Sequence, residues 1–143
     1  MGFRIRPLRL ADYDALISLY RVCGIEPRTR GRESRSAIAV QLRTRSNRYL
    51  GAFDGDRLIG AVLGTHDSRK GWINRLAVHP EYRRRHVARR LVRTCEGGLR
   101  SQGIRMFAAL IELDNPTSAA FFRSLGYEVG PILYGRRKSH AGV

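Results

Sequence analysis

The stretch from Asn74 to Leu91 reads NRLAVHPEYRRRHVARRL, and it decides the fold of this 143-residue chain. Its apolar run from Leu76 to Val78 is typical of a β-strand, which Pro80 ends because proline cannot donate to a β-ladder. From Ala88 and Leu91 onward, apolar residues recur at helical spacing. The stretch therefore predicts a strand, a short basic turn and the first turn of a helix.

The basic turn, Arg83 to Arg89, predicts a site for an anion. A helix N-terminus offers unpaired amides and the positive end of the helix dipole. Three consecutive arginines, Arg83, Arg84 and Arg85, stand beside those amides. Bidentate guanidinium groups suit a pyrophosphate better than a single carboxylate. Taken alone, the turn is also compatible with a solvated basic helix or with a nucleic-acid contact.

The segments before this stretch alternate between strand and helix patterns. Apolar residues at helical spacing follow Asp12, which is a plausible helix cap. Asp54-Gly55 is a strong hairpin signal between two short β-type runs. The predicted elements are a strand (3–7), a helix after Asp12, a loop (24–31), a second helix that ends near Ser46, and two hairpin strands (49–53 and 58–63).

The segments after the basic turn continue the alternation. Asn115-Pro116 begins a helix, because asparagine caps free amides and proline fits the first helical turn. Gly126 ends that helix. After a fourth strand (72–78), the predicted elements are a long helix that ends before Gly103, a fifth strand (106–112), the Asn115 helix, one or two last strands (127–134) and a frayed basic tail (136–143).

This order predicts a single α/β domain over residues 1–143. Its central sheet is expected to be mixed and largely antiparallel, with six to seven strands flanked by about four helices. The length is enough to bury one core but not two.

Positive charge dominates the composition. The chain carries 27 Lys and Arg against 12 Asp and Glu, for a formal net charge of +15 at pH 7. Such an excess indicates an anionic partner: nucleic acid, an anionic membrane surface or a phosphate-rich cofactor. The charges are spread along the whole chain, which is also typical of a solvated basic surface.

The remaining composition predicts a reduced, cytoplasmic protein. Cys23 and Cys95 lie in segments predicted as helical, so we expect core thiols rather than a disulfide. Neither a signal peptide nor a bilayer-spanning run is found in the sequence, and no His/Cys cluster has metal-ligand spacing.

Two motifs resemble the GNAT superfamily of acetyl-CoA-dependent N-acetyltransferases. After their fourth strand, members of this family carry Arg/Gln-x-x-Gly-x-Gly/Ala, which matches Arg83 to Ala88 with His86 in place of the first glycine. The family's Asn-x-x-Ala-x-x-x-Tyr-x-x-x-Gly-Phe is similar to the block of Asn115, Ala119, Phe121, Phe122, Leu125, Gly126 and Tyr127. The resemblance covers essentially the whole chain, in the family's element order.

The resemblance implies acetyl-CoA as the acetyl donor and no metal. The backbone of the fourth strand would pair with the pantetheine arm, and the Val78 amide would polarise the thioester carbonyl. Phe122 stands where many members place a tyrosine that protonates the leaving thiolate. The residues that the resemblance implies for binding the donor are Leu76, Ala77, Val78, Arg83, Arg84, Arg85, His86, Val87, Ala88, Arg89, Asn115 and Phe122. Asn115 is first of all a helix cap.

A general base is harder to place from the sequence. Trp72 occupies a position where some family members carry a catalytic glutamate. Glu112, at the end of the fifth strand, is the leading candidate, although a solvent-facing charge is its simpler interpretation. The weaker candidates are His66, Glu26, Glu33 and a water held by Asn74.

The resemblance also implies a primary amine as acceptor, which attacks directly in a ternary complex and is selected by the first two helices and the loops at the sheet edge. The arginine-rich segment 24–48 and the loop 66–70 would repel a polycation and accept a protein α-amine, an amino acid or a small metabolite. A catalytically degenerate acyl-CoA-binding sensor is the main alternative, suggested by His86 and Phe122. A nucleic-acid-binding domain rests on net charge alone. The sheet edge near 127–134 is compatible with a homodimer.

Overall fold

A computed structural model describes residues 2–143. Five strands form one mixed sheet in the order β1-β2-β3-β4-β5. The first four strands are antiparallel to their neighbours, and β5 is parallel to β4. The strands are β1 (Arg4–Pro7), β2 (Arg48–Asp54), β3 (Arg57–His66), β4 (Gly71–Val78) and β5 (Phe107–Ala109).

Four α-helices flank the sheet, as the sequence predicts. They are α1 (Tyr13–Val22), α2 (Arg35–Arg43), α3 (Val87–Arg100) and α4 (Pro116–Ser124). Two 3-10 turns, Leu10–Asp12 and Pro80–Tyr82, precede α1 and lead from β4 toward α3.

The sheet has an apolar layer on each face. On one face α3 buries Val87, Leu91, Val92, Cys95 and Leu99 against side chains from β2, β3 and β4. On the other face α1 and α2 bury a second cluster, which includes Leu16, Tyr20 and Ile38. Because β4 contributes to both layers, its backbone is held from two sides.

The prediction of six to seven strands is wrong by one or two. Residues 127–134 form no strand, and β5 ends at Ala109 rather than at Glu112. Pro131 cannot donate to a ladder, and Gly130 beside it weakens an extended segment. In addition, a three-residue β5 offers little edge on which a further strand could pair.

The two predicted helix caps behave differently. Asn115 caps α4, since its side chain accepts a hydrogen bond from the Ser118 amide at 3.0 Å. Asp12 stands at the N-cap of α1, but its carboxylate accepts from the Arg9 amide at 2.8 Å and pairs with Arg6 at 2.8 Å. It therefore fixes the turn before α1 rather than the helix itself.

Among residues 2–143, the structure contains no helix with the length and apolar character needed to cross a bilayer.

The contact between β3 and α3 gives a stability prediction. A Cβ added at Gly64 would overlap the Sγ of Cys95. We expect Gly64→Ala to lower the free energy of unfolding by about 1–3 kcal/mol through overpacking. Adding Cys95→Ala should restore part of that loss, because it removes the overlapping atom.

Gly97→Ala is the matched control, since a Cβ there meets nothing within 4 Å and Gly97 lies inside α3. It should raise the free energy of unfolding by about 0.5–1 kcal/mol through helix propensity. Urea denaturation followed by circular dichroism measures all four proteins. Equal effects of Gly64→Ala and Gly97→Ala on the free energy of unfolding would contradict this packing.

Candidate functional site

The candidate site begins where β4 and β5 separate. The two strands pair only at Gly71, Trp72 and Ile73, opposite Phe107, Ala108 and Ala109. β4 continues for five more residues to Val78, while the chain leaves the sheet after Ala109. Residues 74–78 therefore have β3 on one edge and a gap on the other.

A β-bulge decides which amides face this gap. The register between β3 and β4 shifts between the pairs Leu63–Asn74 and Ala61–Ala77, so two residues of β4, Arg75 and Leu76, share one position of β3. Arg75 adopts a positive φ of 52° at this point. Such a bulge inserts one residue and so exchanges the inward and outward positions of the strand beyond it.

The Val78 amide points into the gap. The His79 amide donates to the Ile59 carbonyl at 2.8 Å, which makes that pair a hydrogen-bonded one. Since hydrogen-bonded and non-hydrogen-bonded pairs alternate in an antiparallel ladder, Val78 opposite Gly60 directs its N–H and C=O away from β3. The Val78 carbonyl accepts from the Cys23 thiol at 3.3 Å and from Arg83 Nε at 3.4 Å.

The turn after β4 forms an amide cradle. Arg84 and His86 both have a φ of 62°, and His86 is the N-cap residue of α3. Alternating left-handed residues turn successive N–H groups toward one concave surface, which binds anions. No side chain caps α3 within residues 2–143, so the amides of Val87, Ala88 and Arg89 add to the cradle.

His86 takes the conformation that glycine adopts most easily. Its φ and ψ of 62° and 18° lie in the left-handed region, and its side chain is exposed. The backbone of the turn is therefore formed without glycine, at a cost in local strain.

The side chains of the turn are positively charged, so they favour an anion as its amides do. The side chains of Arg83, Arg84, Arg85 and Arg89 are exposed. The guanidinium carbon of Arg85 also lies over the ring of Tyr82, 5.3 Å from its centroid. Multiple amides with several guanidinium groups around them fit a pyrophosphate, and the adjacent gap with free strand amides fits an extended amide-containing arm. The residues present therefore fit coenzyme A.

The side chains of Asn115 and Phe122 are both engaged within the protein, one in a helix cap and the other in aromatic packing. Asn115 is exposed and caps α4, as described above. Phe122 is 4% exposed and packs edge-on against Phe121 and Tyr127, with ring centroids 5.1 and 5.0 Å apart. Phe122 offers no proton, and the Tyr127 hydroxyl donates to Glu96 at 2.6 Å. Burial raises the pKa of Tyr127, which keeps that hydroxyl protonated.

Glu112 lies in the chain that leaves β5, and its side chain is exposed. Its carbonyl accepts from the Asn115 amide at 3.1 Å. Within residues 2–143, its carboxylate has no hydrogen bond or ion pair. Glu112 thus follows the last residue of β5 by three positions, and its role as a base stays a prediction.

In the described part of the chain, three of the four other candidate bases have side chains engaged by neighbouring groups; Glu26 does not, and its carbonyl accepts from Arg75 at 3.5 Å. His66 sits opposite Gly71, at the closed end of β4, and both of its ring nitrogens are engaged by Gln102 and the Ser68 amide. Glu33 is 3% exposed and paired with Arg75. Glu26 is exposed, and Asn74 donates to Thr65 Oγ1 at 3.2 Å and to the Trp72 carbonyl.

Two features of the site have no local sequence signal. The Cys23 thiol lies beside the Val78 carbonyl although the residues are 55 positions apart. The Glu33–Arg75 ion pair spans 42 positions. A single sequence gives no pattern for contacts of this kind, because only the fold brings them together.

A cavity of about 590 Å³ lies outside the gap. It is lined by Pro7, Leu8, Gln41, Leu42, Arg43, Thr44, Arg45, Asn47, Arg48, Tyr49, Leu50, Ser101 and Gln102. None of these residues belongs to the β4 end or to the amide cradle, so the cavity and the candidate site are separate.

The strain at His86 gives a second prediction. His86→Gly should raise the free energy of unfolding by about 0.5–1 kcal/mol, because glycine reaches positive φ without steric cost. His86→Val should lower it, since a β-branched residue is disfavoured there. Urea denaturation measures both, and calorimetry should show coenzyme A binding retained in His86→Gly. A stability lower in the glycine variant than in the wild type would contradict the account.

Known proteins match this architecture. The family model described as "Acetyltransferase (GNAT) family" matches residues 13–127. An acetyltransferase of Pectobacterium atrosepticum is 28% identical over 135 residues, which cover 93% of this chain and 94% of that protein.

Two solved structures share the fold. The PaiA N-acetyltransferase of Thermoplasma acidophilum, in complex with coenzyme A, has a TM-score of 0.80 at 22% identity, covering 91% of this chain and 92% of that one. The enzyme AAC(6')-Iy, in complex with a bisubstrate analogue of coenzyme A and neamine, has a TM-score of 0.80 at 16% identity, covering 96% and 99%. With its mixed sheet, its separating strands and this family match, the chain belongs to the GNAT acetyltransferase family.

Proposed function

We propose that this protein transfers an acetyl group from acetyl-CoA to a primary amine. One observation carries the proposal: the gap beside residues 76–78 opens next to the amide cradle of residues 84–89. The gap offers strand amides and the cradle offers anion-binding amides, which are the two kinds of contact that coenzyme A requires. The family membership supports the same reaction class.

The donor would be held by backbone more than by side chains. Leu76, Ala77 and Val78 would line the pantetheine arm, with the amides of Leu76 and Val78 on the gap side. The diphosphate would rest on the cradle, with charge supplied by Arg83, Arg84, Arg85 and Arg89. His86, Val87 and Ala88 would contribute amides. Asn115 and Phe122 would serve by fixing α4 beside the gap.

The proposed chemistry is direct attack in a ternary complex. Acetyl-CoA supplies the thioester carbonyl, to which the amine nitrogen bonds while the carbon–sulfur bond breaks. The Val78 amide would donate a hydrogen bond to the carbonyl oxygen as negative charge develops there. Glu112, or water, would first take a proton from the ammonium group of the acceptor, so that the neutral amine attacks. Positioning supplies much of the rate in such a complex.

The departing thiolate would leave without a dedicated proton donor. Phe122 replaces the usual tyrosine, and the Tyr127 hydroxyl is bound to Glu96. A thiol has an ordinary pKa near 8.5, so its thiolate is a tolerable leaving group near neutral pH.

The acceptor is proposed as a protein α-amine, an amino acid or a small metabolite. The loop after α1 meets β4 through the Glu33–Arg75 ion pair and would form the acceptor side of the gap. It carries Arg28, Arg30 and Arg32 within a chain of net charge +15. A polycation would be repelled there. In this respect the chain differs from what an aminoglycoside acceptor would require, although it shares the fold of AAC(6')-Iy.

A catalytically inactive acyl-CoA sensor is the second candidate, and Phe122 favours it because the family's usual proton donor is missing. A nucleic-acid-binding role would have only the net charge in its favour.

We also propose that the chain acts as a single domain in the cytoplasm, where its two cysteines stay reduced; both are free in the structure. The homodimer expected from a sheet edge at 127–134 loses its basis, because these residues form no strand.

Calorimetric titration with acetyl-CoA and with free coenzyme A tests the donor site. The wild type should bind both at micromolar concentration. The double variant Arg84→Glu/Arg85→Glu should lose binding by at least about 100-fold, because two favourable charge contacts become unfavourable.

Arg43→Glu/Arg45→Glu is the matched control, since it changes the net charge equally but lies at the separate cavity. It should bind coenzyme A within about threefold of the wild type at 150 mM salt, where distant charges are screened. If both double variants lose binding equally, attraction is by net charge alone and the cradle assignment fails.

An amine panel with thiol release as readout tests acceptor class. We expect turnover with neutral or acidic amines, such as peptides with a free α-amine, and at least about tenfold less with polyamines of equal concentration, because of charge repulsion. Donor binding without thiol release from any amine would instead favour the sensor. Preference for a polyamine would contradict the acceptor proposal.

A further inference from the structure

The bulge of β4 carries a partly buried ion pair. Arg75 Nε donates to Glu33 Oε2 at 2.7 Å, and a second guanidinium nitrogen contacts Glu33 Oε1. Glu33 is 3% exposed, and the Arg75 guanidinium also lies over the ring of Tyr20 at 5.4 Å. This bidentate pair joins the loop after α1 to the middle of β4.

Glu33 is also the centre of the acceptor-side loop. Its Oε1 accepts from the Arg28 amide at 2.8 Å, and its carbonyl accepts from the Tyr13 hydroxyl at 2.7 Å. Arg75 reaches the Glu26 carbonyl in the same loop at 3.5 Å. Each of these hydrogen bonds is therefore made by Arg75 or by Glu33.

The bulge needs such support because Arg75 is not glycine. A positive φ of 52° is unfavourable for a residue with a Cβ, so a neighbouring contact has to hold it. If Arg75 relaxed into an ordinary strand conformation, the register beyond it would slip by one residue. The Ala77 amide would then face the gap, and the Val78 amide would turn toward β3.

We propose that Glu33 and Arg75 are a positioning pair, which fixes the Val78 amide toward the gap and ties the acceptor-side loop to the same point of β4. Glu33 acts through Arg75 rather than as a base. The inference rests on the proposed function, since the Val78 amide matters only if a thioester carbonyl lies beside it. It adds two residues on which that reaction depends.

Infrared difference spectroscopy with acetyl-CoA labelled with ¹³C at the carbonyl tests the proposal directly. In the wild type, a hydrogen bond from Val78 should lower the carbonyl frequency of bound acetyl-CoA below that of the free molecule. In Glu33→Gln and in Arg75→Gln, the band should return toward the free position. Free coenzyme A should still bind through the cradle amides, which remain in place, with an affinity lowered by the lost contacts of its pantetheine arm.

Hydrogen exchange supplies a readout that needs no ligand. In the unliganded variants, the amides of Ala77 and His79, which face β3, should exchange about tenfold faster than in the wild type, since the bulge opens locally. Arg75→Lys, which keeps the charge but not the bidentate geometry, should fall between the wild type and Arg75→Gln in both measurements. If either glutamine variant fails to fold, Arg75→Lys provides the test in its place.

Asp12→Asn is the control for a merely structural role. Arg6 and Asp12 form a similar bidentate pair at 2.8 and 3.1 Å, on the turn before α1 and away from β4. This variant should lower the melting temperature and leave the carbonyl band unchanged. If Glu33→Gln behaves like Asp12→Asn, with reduced stability and a wild-type band, the positioning role is disproved.

Two further outcomes have distinct meanings. If Glu33→Gln alone alters the band and Arg75→Gln does not, Glu33 does not act through Arg75 and the proposal fails. If the wild type does not bind acetyl-CoA, the proposed function fails. The exchange rates of Ala77 and His79 then decide separately whether the pair holds the bulge, and unchanged rates overturn that as well.

Discussion

The bulge at Arg75 is the constraint on which the rest of the site depends. β4 is the only strand that belongs to both core layers and to the candidate site, and it pairs with β5 at only three positions. Beyond them, one inserted residue determines that Val78 rather than Ala77 turns its amide outward. The gap itself opens because β5 ends at Ala109, and the bulge sets which amides of β4 point into it.

Strain and charge are both concentrated along this path. Arg75, Arg84 and His86 are three non-glycine residues with positive φ, all within twelve positions of one another. Two of the twelve side-chain carboxylates are buried: Glu33 contacts the bulge, and Glu96 receives the Tyr127 hydroxyl. Each is also paired with an arginine, so the surface keeps the excess of cations that 27 Lys and Arg against 12 Asp and Glu give. A surface of this kind attracts a phosphate-rich donor and disfavours a cationic acceptor.

The sequence predicted most elements because their signals are local. Asp54-Gly55, Pro80 and Asn115-Pro116 each specify a turn or a helix end by their own chemistry, and the structure places boundaries beside all three. The strand over 127–134 was wrong because apolar content outweighed Gly130 and Pro131. The role of Glu33 could not be predicted, since its partner is 42 positions away and the bulge leaves no pattern in the strand.

A map of amide chemical shifts in the ¹⁵N-labelled protein, recorded on titration with coenzyme A, tests the donor site most directly. We expect the largest changes at Leu76, Val78 and residues 84–89, with no comparable change around the cavity at residues 41–50. Changes confined to that cavity, or spread evenly over the basic surface, would show that the gap between β4 and β5 is not the donor site.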